Sequence, residues 1–199
     1  MAGADWSTYY EKTGTRPPRN TLIRALDAFD REGLSSDRFA VDLGSGSGRD
    51  TIEIIRRGWP VLAVDAAFEA IEGLKSRSDL PGGASIETQL SRYENMILPR
   101  CDLVNAGFSL PLCPKRAFAA VWQNIVATLK PGGRFSGQLY GDRDDWAGNS
   151  EMTHLTPSEV LDLLQPFEIE HLKEEEGDAV TPRGGAKRWH IFHIVARKL

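Results

Sequence analysis

The chain has 199 residues, 41% of them hydrophobic and 26% charged, and a formal net charge of −4. That length builds one well-buried core and is short for two, and the acidic balance repels phosphate backbones and anionic bilayers, so neither a nucleic acid nor a membrane is expected as a partner. The two cysteines, Cys101 and Cys113, lack zinc-site partners at close spacing and are too few for a disulfide framework, so buried, reduced thiols are expected.

In chain order, 1–10 lacks the basic-then-apolar pattern of a secretory leader, and no apolar run reaches membrane-spanning length; a cytoplasmic location is expected. After Pro17-Pro18, Leu22, Ile23, Leu26 and Phe29 recur at helical spacing and predict a helix over 21–32. A buried-type strand follows at 39–43, a helix over 49–57 closed by Gly58, a second strand at 61–64 and a helix over 67–77. Pro81-Gly82-Gly83 marks a turn before a third strand, 84–90, and 101–106 reads as a fourth. A helix covers 116–129, Pro131-Gly132-Gly133 reads as a turn, and 134–140 as a fifth strand. Residues 142–153 read as a polar loop. Thr156-Pro157-Ser158-Glu159 has the logic of a capping box and starts a helix to about Leu164. The runs 167–173 and 189–196 read as strands of an antiparallel hairpin, with Glu174 to Glu176 as a solvated turn between them.

Strand–helix alternation predicts a doubly wound α/β fold: a mostly parallel sheet, helices on both faces and an antiparallel hairpin at the C-terminus. The whole of 1–199 reads as a single domain, with 1–32 as an N-terminal cap segment and helix. Ligands of such sheets sit at the carboxyl ends of the strands, near the topological switch point. There the sequence places Gly44, Gly46 and Gly48 at alternate positions between a buried strand and a helix. Glycines let backbone approach a ligand without a Cβ clash. Asp65 closes the second strand, where a carboxylate accepts both hydroxyls of a ribose. A dinucleotide fingerprint would put glycine at the sixth position of the loop; Arg49 stands there instead, which disfavours a nicotinamide oxidoreductase.

Asp42-Leu43-Gly44-Ser45-Gly46-Ser47-Gly48, the strand ending in Asp65, Cys101-Asp102-Leu103-Val104 and the stretch 129–135 together resemble the ordered motifs of class I S-adenosylmethionine-dependent methyltransferases. The resemblance covers nearly the whole chain. Gly48-Arg49-Asp50, and a C-terminal Gly-Asp segment leading to a strand that ends Ala196-Arg197-Lys198, are similar to the tellurite-resistance methyltransferase subgroup. The resemblance implies a seven-stranded sheet with its last strand antiparallel, and S-adenosylmethionine as cofactor. It further implies that Asp42 and the backbone of Gly44 and Gly46 hold the methionine end, with Ser45 and Gly48 completing the loop. Asp65 would bind the ribose beside Ala66. Where the family often carries an acidic residue at the adenine, Ser91 stands, followed by Arg92, Tyr93 and Glu94. Asn105 and Ala106 would face the sulfonium, and Phe108 and Ser109 the substrate.

The aromatic segment Trp6 to Tyr10 lies where such proteins often fold a cap over the cofactor. Tyr10 is expected at the cofactor and Tyr9 at the substrate, because aromatic faces favour a sulfonium cation. Arg16 is placed to pair with the cofactor carboxylate. His190 and His193 fall on opposite faces of one strand and cannot easily share a metal, so no metal site is expected. His154, in the loop over the substrate, is the histidine placed for acid–base work, although methyl transfer to a thiol, selenide or amine already in reactive form requires alignment and water exclusion more than a catalytic group. The implied function is in-line methyl transfer to a small-molecule acceptor; the alternative is a non-catalytic S-adenosylmethionine-binding regulatory module.

Overall fold

The computed structural model describes residues 13–14, 16–33, 37–181 and 184–199. Helix α1 (Asn20–Glu32) leads into β1 (Ala40–Leu43), α2 (Thr51–Arg56), β2 (Val61–Asp65), α3 (Phe68–Lys75) and β3 (Ile86–Leu90). β4 (Cys101–Ala106), α4 (Lys115–Thr128), β5 (Leu129–Gly141), the short β6 (His154–Leu155), α5 (Pro157–Leu163), β7 (Phe167–Val180) and β8 (Ala186–Lys198) complete the order. The sheet runs β3-β2-β1-β4-β5-β8-β7, with β6 pairing the end of β5. β8 is antiparallel to both of its neighbours. The order reverses between β1 and β4, so the crevice at their carboxyl ends is the switch point.

Period-two alternation sorts the strand residues between two covered faces. Val41, Leu43 and Val104 pack with Trp122 and Ile125 of α4 and Val160 of α5. Ala40, Val61 and Leu103 pack with Leu22, Leu26 and Phe29 of α1. Cys101 and Cys113 are free and buried, as their apolar surroundings require. The capping box forms: Glu159 N donates to Thr156 Oγ1 (3.2 Å) and Thr156 N to Glu159 Oε2 (2.7 Å). Arg134, only 2% exposed, is forked between Glu32 of α1 and Glu170 of β7.

Two elements depart from the sequence reading. Pro131-Gly132-Gly133 is not a turn but part of β5, where the register against β4 shifts between Cys101 and Leu103. Gly132 sits at φ 79°, and a Cβ on Gly133 would fall 2.8 Å from the Asp102 carbonyl, so the glycines carry a bulge through the strand. Glu174 to Glu176 is not a turn either; it is strand, paired with Phe192, Ile191 and His190. β8 leaves β5 after the Ile191–Tyr140 pair, yet β7 and β8 stay paired as far as Val180 and Ala186. The five residues Ala186 to His190 therefore form, with β7, a two-stranded arm that overhangs the sheet by roughly 17 Å.

Candidate functional site

Gly44, Gly46 and Gly48 have φ of 66°, 54° and 89°, left-handed conformations that glycine adopts at little cost. A Cβ on Gly44 would lie 2.3 Å from Ser109 Cβ and 3.1 Å from the Tyr93 hydroxyl, so bare backbone lets the loop after β4 close onto β1. A Cβ on Gly48 would lie 2.3 Å from Leu74 Cδ1; this glycine makes room for α3. The loop's donors are engaged inside the fold. Gly44 N donates to Val64 O (2.7 Å) and Ser45 N to the same oxygen (3.1 Å), while Gly46 N donates to Asp65 Oδ2 (2.9 Å). A phosphate cradle keeps such N–H groups pointing at the ligand; this loop does not.

Asp65 ends β2 and takes one backbone donor on each oxygen, Gly46 on Oδ2 and Ala67 on Oδ1 (2.9 Å). Burial raises its pKa above the ordinary carboxylate value against the pull of those N–H groups. Each oxygen keeps further lone-pair capacity on the cleft side.

Asp42 is 2% exposed and accepts from Thr51 Oγ1 (2.6 Å) and Asn105 Nδ2 (2.9 Å). The same Asn105 amide donates to Asp50 Oδ2 (3.1 Å), and Ser136 Oγ donates to Asn105 Oδ1 (2.8 Å). Burial, and then the neighbouring Asp50 charge, push Asp42 up to about 7. Asp50 also accepts from Arg19 N (3.0 Å), and the Arg19 side chain lies 3.8 Å from it. Two carboxylates thus sit side by side at the floor of the crevice, with the Arg19 guanidinium beside them.

These groups border a cleft of about 1570 Å³, larger than a single small ligand occupies. Its far half lies beyond β4. Phe108 has φ 57°, the one described non-glycine residue in the left-handed region; such strain concentrates at functional sites. The Arg19 guanidinium lies 4.4 Å from the Phe108 ring centre, and Phe108 N donates to Gln138 Oε1 (3.1 Å). Tyr140, Trp146 and Trp189 continue the wall, with Trp146 and Trp189 edge-to-face at 5.6 Å. Behind them Lys187 is buried, its ammonium 3.8 Å from the Trp146 ring and 4.0 Å from the Trp189 ring, and ion-paired with Asp144. Asp144 belongs to the 142–153 loop and Lys187 to the arm, so the pair joins the two.

Of the residues expected at the cofactor, Asp42, Gly44, Ser45, Gly46, Asp65 and Ala66 line the cleft, as do Ser91, Arg92, Tyr93 and Arg16. Phe108 and Ser109 line its far side. Gly48, Asn105 and Ala106 do not line it: Gly48 faces Leu74, and Asn105 and Ala106 are fully buried beneath it, Asn105 holding the two aspartates. His154 does not line it either. It is buried, its Nε2 lies 3.6 Å from Asp144, and its ring lies 5.9 Å from that of Tyr140, so it packs behind the wall. Tyr9 and Tyr10 lie outside the described residues, while Thr13 and Gly14 line the cleft. Sequence reasoning missed Arg19, Asp50 and the aromatic wall. The readable signal for the wall was Trp146, a lone large aromatic in an otherwise polar loop.

The model of a family described as a methyltransferase domain matches residues 40–133. Trans-aconitate 2-methyltransferase of Rhodopseudomonas palustris strain BisA53 is 26% identical over an alignment covering 96% of this chain and 73% of its own length. Among solved structures, TehB from Haemophilus influenzae superposes with a TM-score of 0.76 at 16% identity, covering 96% of this chain; this chain spans 66% of TehB. Magnesium protoporphyrin IX methyltransferase (ChlM) from Synechocystis PCC 6803, solved with bound SAM, superposes at 0.65 with 12% identity over 96% of this chain and 92% of its own.

Proposed function

We propose that the chain acts as a class I S-adenosylmethionine-dependent methyltransferase and that it methylates a small-molecule acceptor held between Phe108, the 142–153 loop and the overhanging arm. One observation carries the placement of the cofactor: the glycine loop has turned its Gly44, Ser45 and Gly46 donors inward, onto Val64 and Asp65. Such a loop suits a ligand that brings no phosphate and lies close against bare backbone. The residues fit the cofactor part by part. Asp65 receives the ribose hydroxyls on its remaining lone pairs. Asp42 and Asp50 face the ammonium of the methionine end, and Arg16 its carboxylate. Ser91, Arg92 and Tyr93 border the adenine, and Ala66 lies beside the ribose. Bound there, S-adenosylmethionine supplies a methyl group on a sulfonium, already activated for direct displacement.

The chain's own part is alignment and exclusion of water. Phe108, fixed by the Gln138 bond to its backbone N–H, sets the boundary between the two halves of the cleft. No histidine lines the cleft among the described residues, which favours an acceptor whose lone pair needs no general base. We read the chain as a single domain in which the segment before α1 caps the cofactor, a reading supported by Thr13, Gly14 and Arg16 along the cleft rim; residues 1–12 of the expected cap lie outside the described residues. The relatives' names point the same way: trans-aconitate 2-methyltransferase acts on a small molecule. Calorimetric titration with S-adenosylhomocysteine and with NAD tests the placement. The first should bind and the second should not, and Asp65→Ala should remove most of the affinity from a protein that remains folded. NAD binding the more tightly would reject it.

A further inference from the structure

The far half of the cleft has a chemical character that selects its occupant. Among the described residues it is lined by one cation, Arg116, against four carboxylates, Glu151, Glu175, Glu176 and Asp178. The Arg116 guanidinium is held by Glu151 (2.6 Å). Arg143 and Arg188 turn onto Glu174 and Glu176, and Lys187 is sealed behind the aromatic wall with Asp144. Arg19, the next cation inward, is held against Asp50 and Phe108. Glu151 is matched by Arg116, Glu175 by Lys173, and Glu176 by Arg143 and Arg188, so a polyanionic acceptor would meet no unneutralised cation among these.

The wall itself is aromatic. Trp146 is 39% exposed, an unusual state for so large a ring, and it borders the cleft with Tyr140 and Trp189. These three rings already hold one ammonium, that of Lys187, 3.8 Å from the centre of Trp146, 4.0 Å from that of Trp189 and 5.2 Å from that of Tyr140. Their faces therefore have the geometry that attracts positive charge and stacks flat rings. During methyl transfer, positive charge leaves the sulfur and appears on the acceptor atom. A neutral acceptor becomes a cation, and an aromatic wall with Asp178 on the cleft rim is complementary to that product and to the charge growing in the transition state.

We propose that the acceptor is a planar heteroaromatic base, uncharged at the reacting nitrogen, which stacks on Trp146, with Trp189, set edge-to-face to that ring, beside the pair, and leaves as an N-methyl cation. This rests on the cofactor placement given above. The nitrogen lone pair forms the new C–N bond, and the electron pair of the broken C–S bond stays on sulfur. No proton moves, which accords with a cleft lined by no described histidine.

Isoquinoline and N-methylisoquinolinium serve as probes, with trans-aconitate and selenite as anionic comparators. Each is titrated into protein saturated with S-adenosylhomocysteine and followed by tryptophan fluorescence and calorimetry. Isoquinoline should bind saturably, its N-methyl cation more tightly, and both anions weakly or not at all. Trp146→Ala should weaken both ring probes about fivefold and leave S-adenosylhomocysteine affinity unchanged, and Trp146→Phe should restore most of the loss. With S-adenosylmethionine supplied, mass spectrometry should show N-methylisoquinolinium and S-adenosylhomocysteine in equal amounts. Tighter binding of trans-aconitate or selenite than of the rings overturns the proposal, as does ring affinity indifferent to Trp146. Failure of S-adenosylhomocysteine itself to bind is seen in the first titration, and rejects the cofactor placement instead.

Discussion

S-adenosylhomocysteine should bind about fifteenfold more weakly at pH 5.5 than at pH 7.0, because Asp42 must lose a proton to receive the ligand's ammonium. The perturbation is protonation of one buried carboxyl. Burial and the adjacent Asp50 push it up to about 7. A carboxyl titrating there is about half protonated at pH 7.0 and almost fully protonated at pH 5.5, and the apparent affinity falls with the charged fraction. The ligand's α-amino group, ordinarily titrating near 8, stays mostly charged across this window and contributes little to the slope. Calorimetry in two buffers of different ionisation enthalpy gives both affinity and proton count, and close to one proton should be released per ligand at pH 5.5. Asp42→Asn should bind more weakly at pH 7.0 and show a flat profile. A wild-type profile that is flat, or that shows proton uptake, would refute the assignment of Asp42 to the ammonium. The sign in the ligand-free protein is the reverse of the usual acid-denaturation case. The unfolded carboxyl loses its proton near 3.8 and the folded one only near 7, so this group's contribution to stability is best below the lower value and declines as pH rises between the two.

Asp65→Ala should cost about 2–4 kcal/mol of S-adenosylhomocysteine binding, through lost ribose bonds and through release of the Gly46 and Ala67 N–H groups it anchors; calorimetry on the folded variant would expose an error if affinity held. Gly44→Ala forces a methyl group into Ser109 at a positive φ and should abolish binding. Gly48→Ala instead meets Leu74 and should lower stability by about 1–3 kcal/mol, with partial rescue by Leu74→Ala in urea unfolding. Lys187→Met leaves Asp144 buried and uncompensated and should destabilise by about 3–5 kcal/mol, whereas the double variant Lys187→Met/Asp144→Asn should recover most of that. Equal stability of single and double variants would show that the pair is not coupled.

The half of the cleft proposed for the cofactor was legible because backbone needs wrote it into residue types. Three left-handed positions demanded glycine, and a strand end demanded a carboxylate, so Gly44, Gly46 and Asp65 stand out against any background. The same logic misplaced Gly48, since a positive φ says nothing about whether the neighbour is a ligand or Leu74. Asn105 lies at the carboxyl end of β4 as expected, but its amide is taken by two aspartates from another strand and loop, a contact that no local pattern encodes. On the far side of the cleft, Phe108 and Ser109 stand where the sequence put them, but the arm was not legible. Glu174, Glu175 and Glu176 read as a turn because glutamate has low strand propensity, and tertiary context overrode it. Here the acidic side chains find Arg143, Arg188 and Lys173, and backbone pairing with β8 does the rest.

The overhanging arm has a consequence for how this scaffold can be altered. A two-stranded ribbon is marginally stable alone. This one is secured at its base by the β5–β8 ladder and along its length by Lys187 on Asp144 and by Arg188, whose N–H donates to Asp145 Oδ2 and whose carbonyl accepts from Asp145 N. None of these anchors touches the glycine loop, Asp42 or Asp65. Arm and loop 142–153 therefore constitute an exchangeable cassette. Transplanting both together, with Asp144 and Lys187 retained as the fastener, should change which acceptor fits while the glycine loop, Asp42 and Asp65 are inherited unchanged.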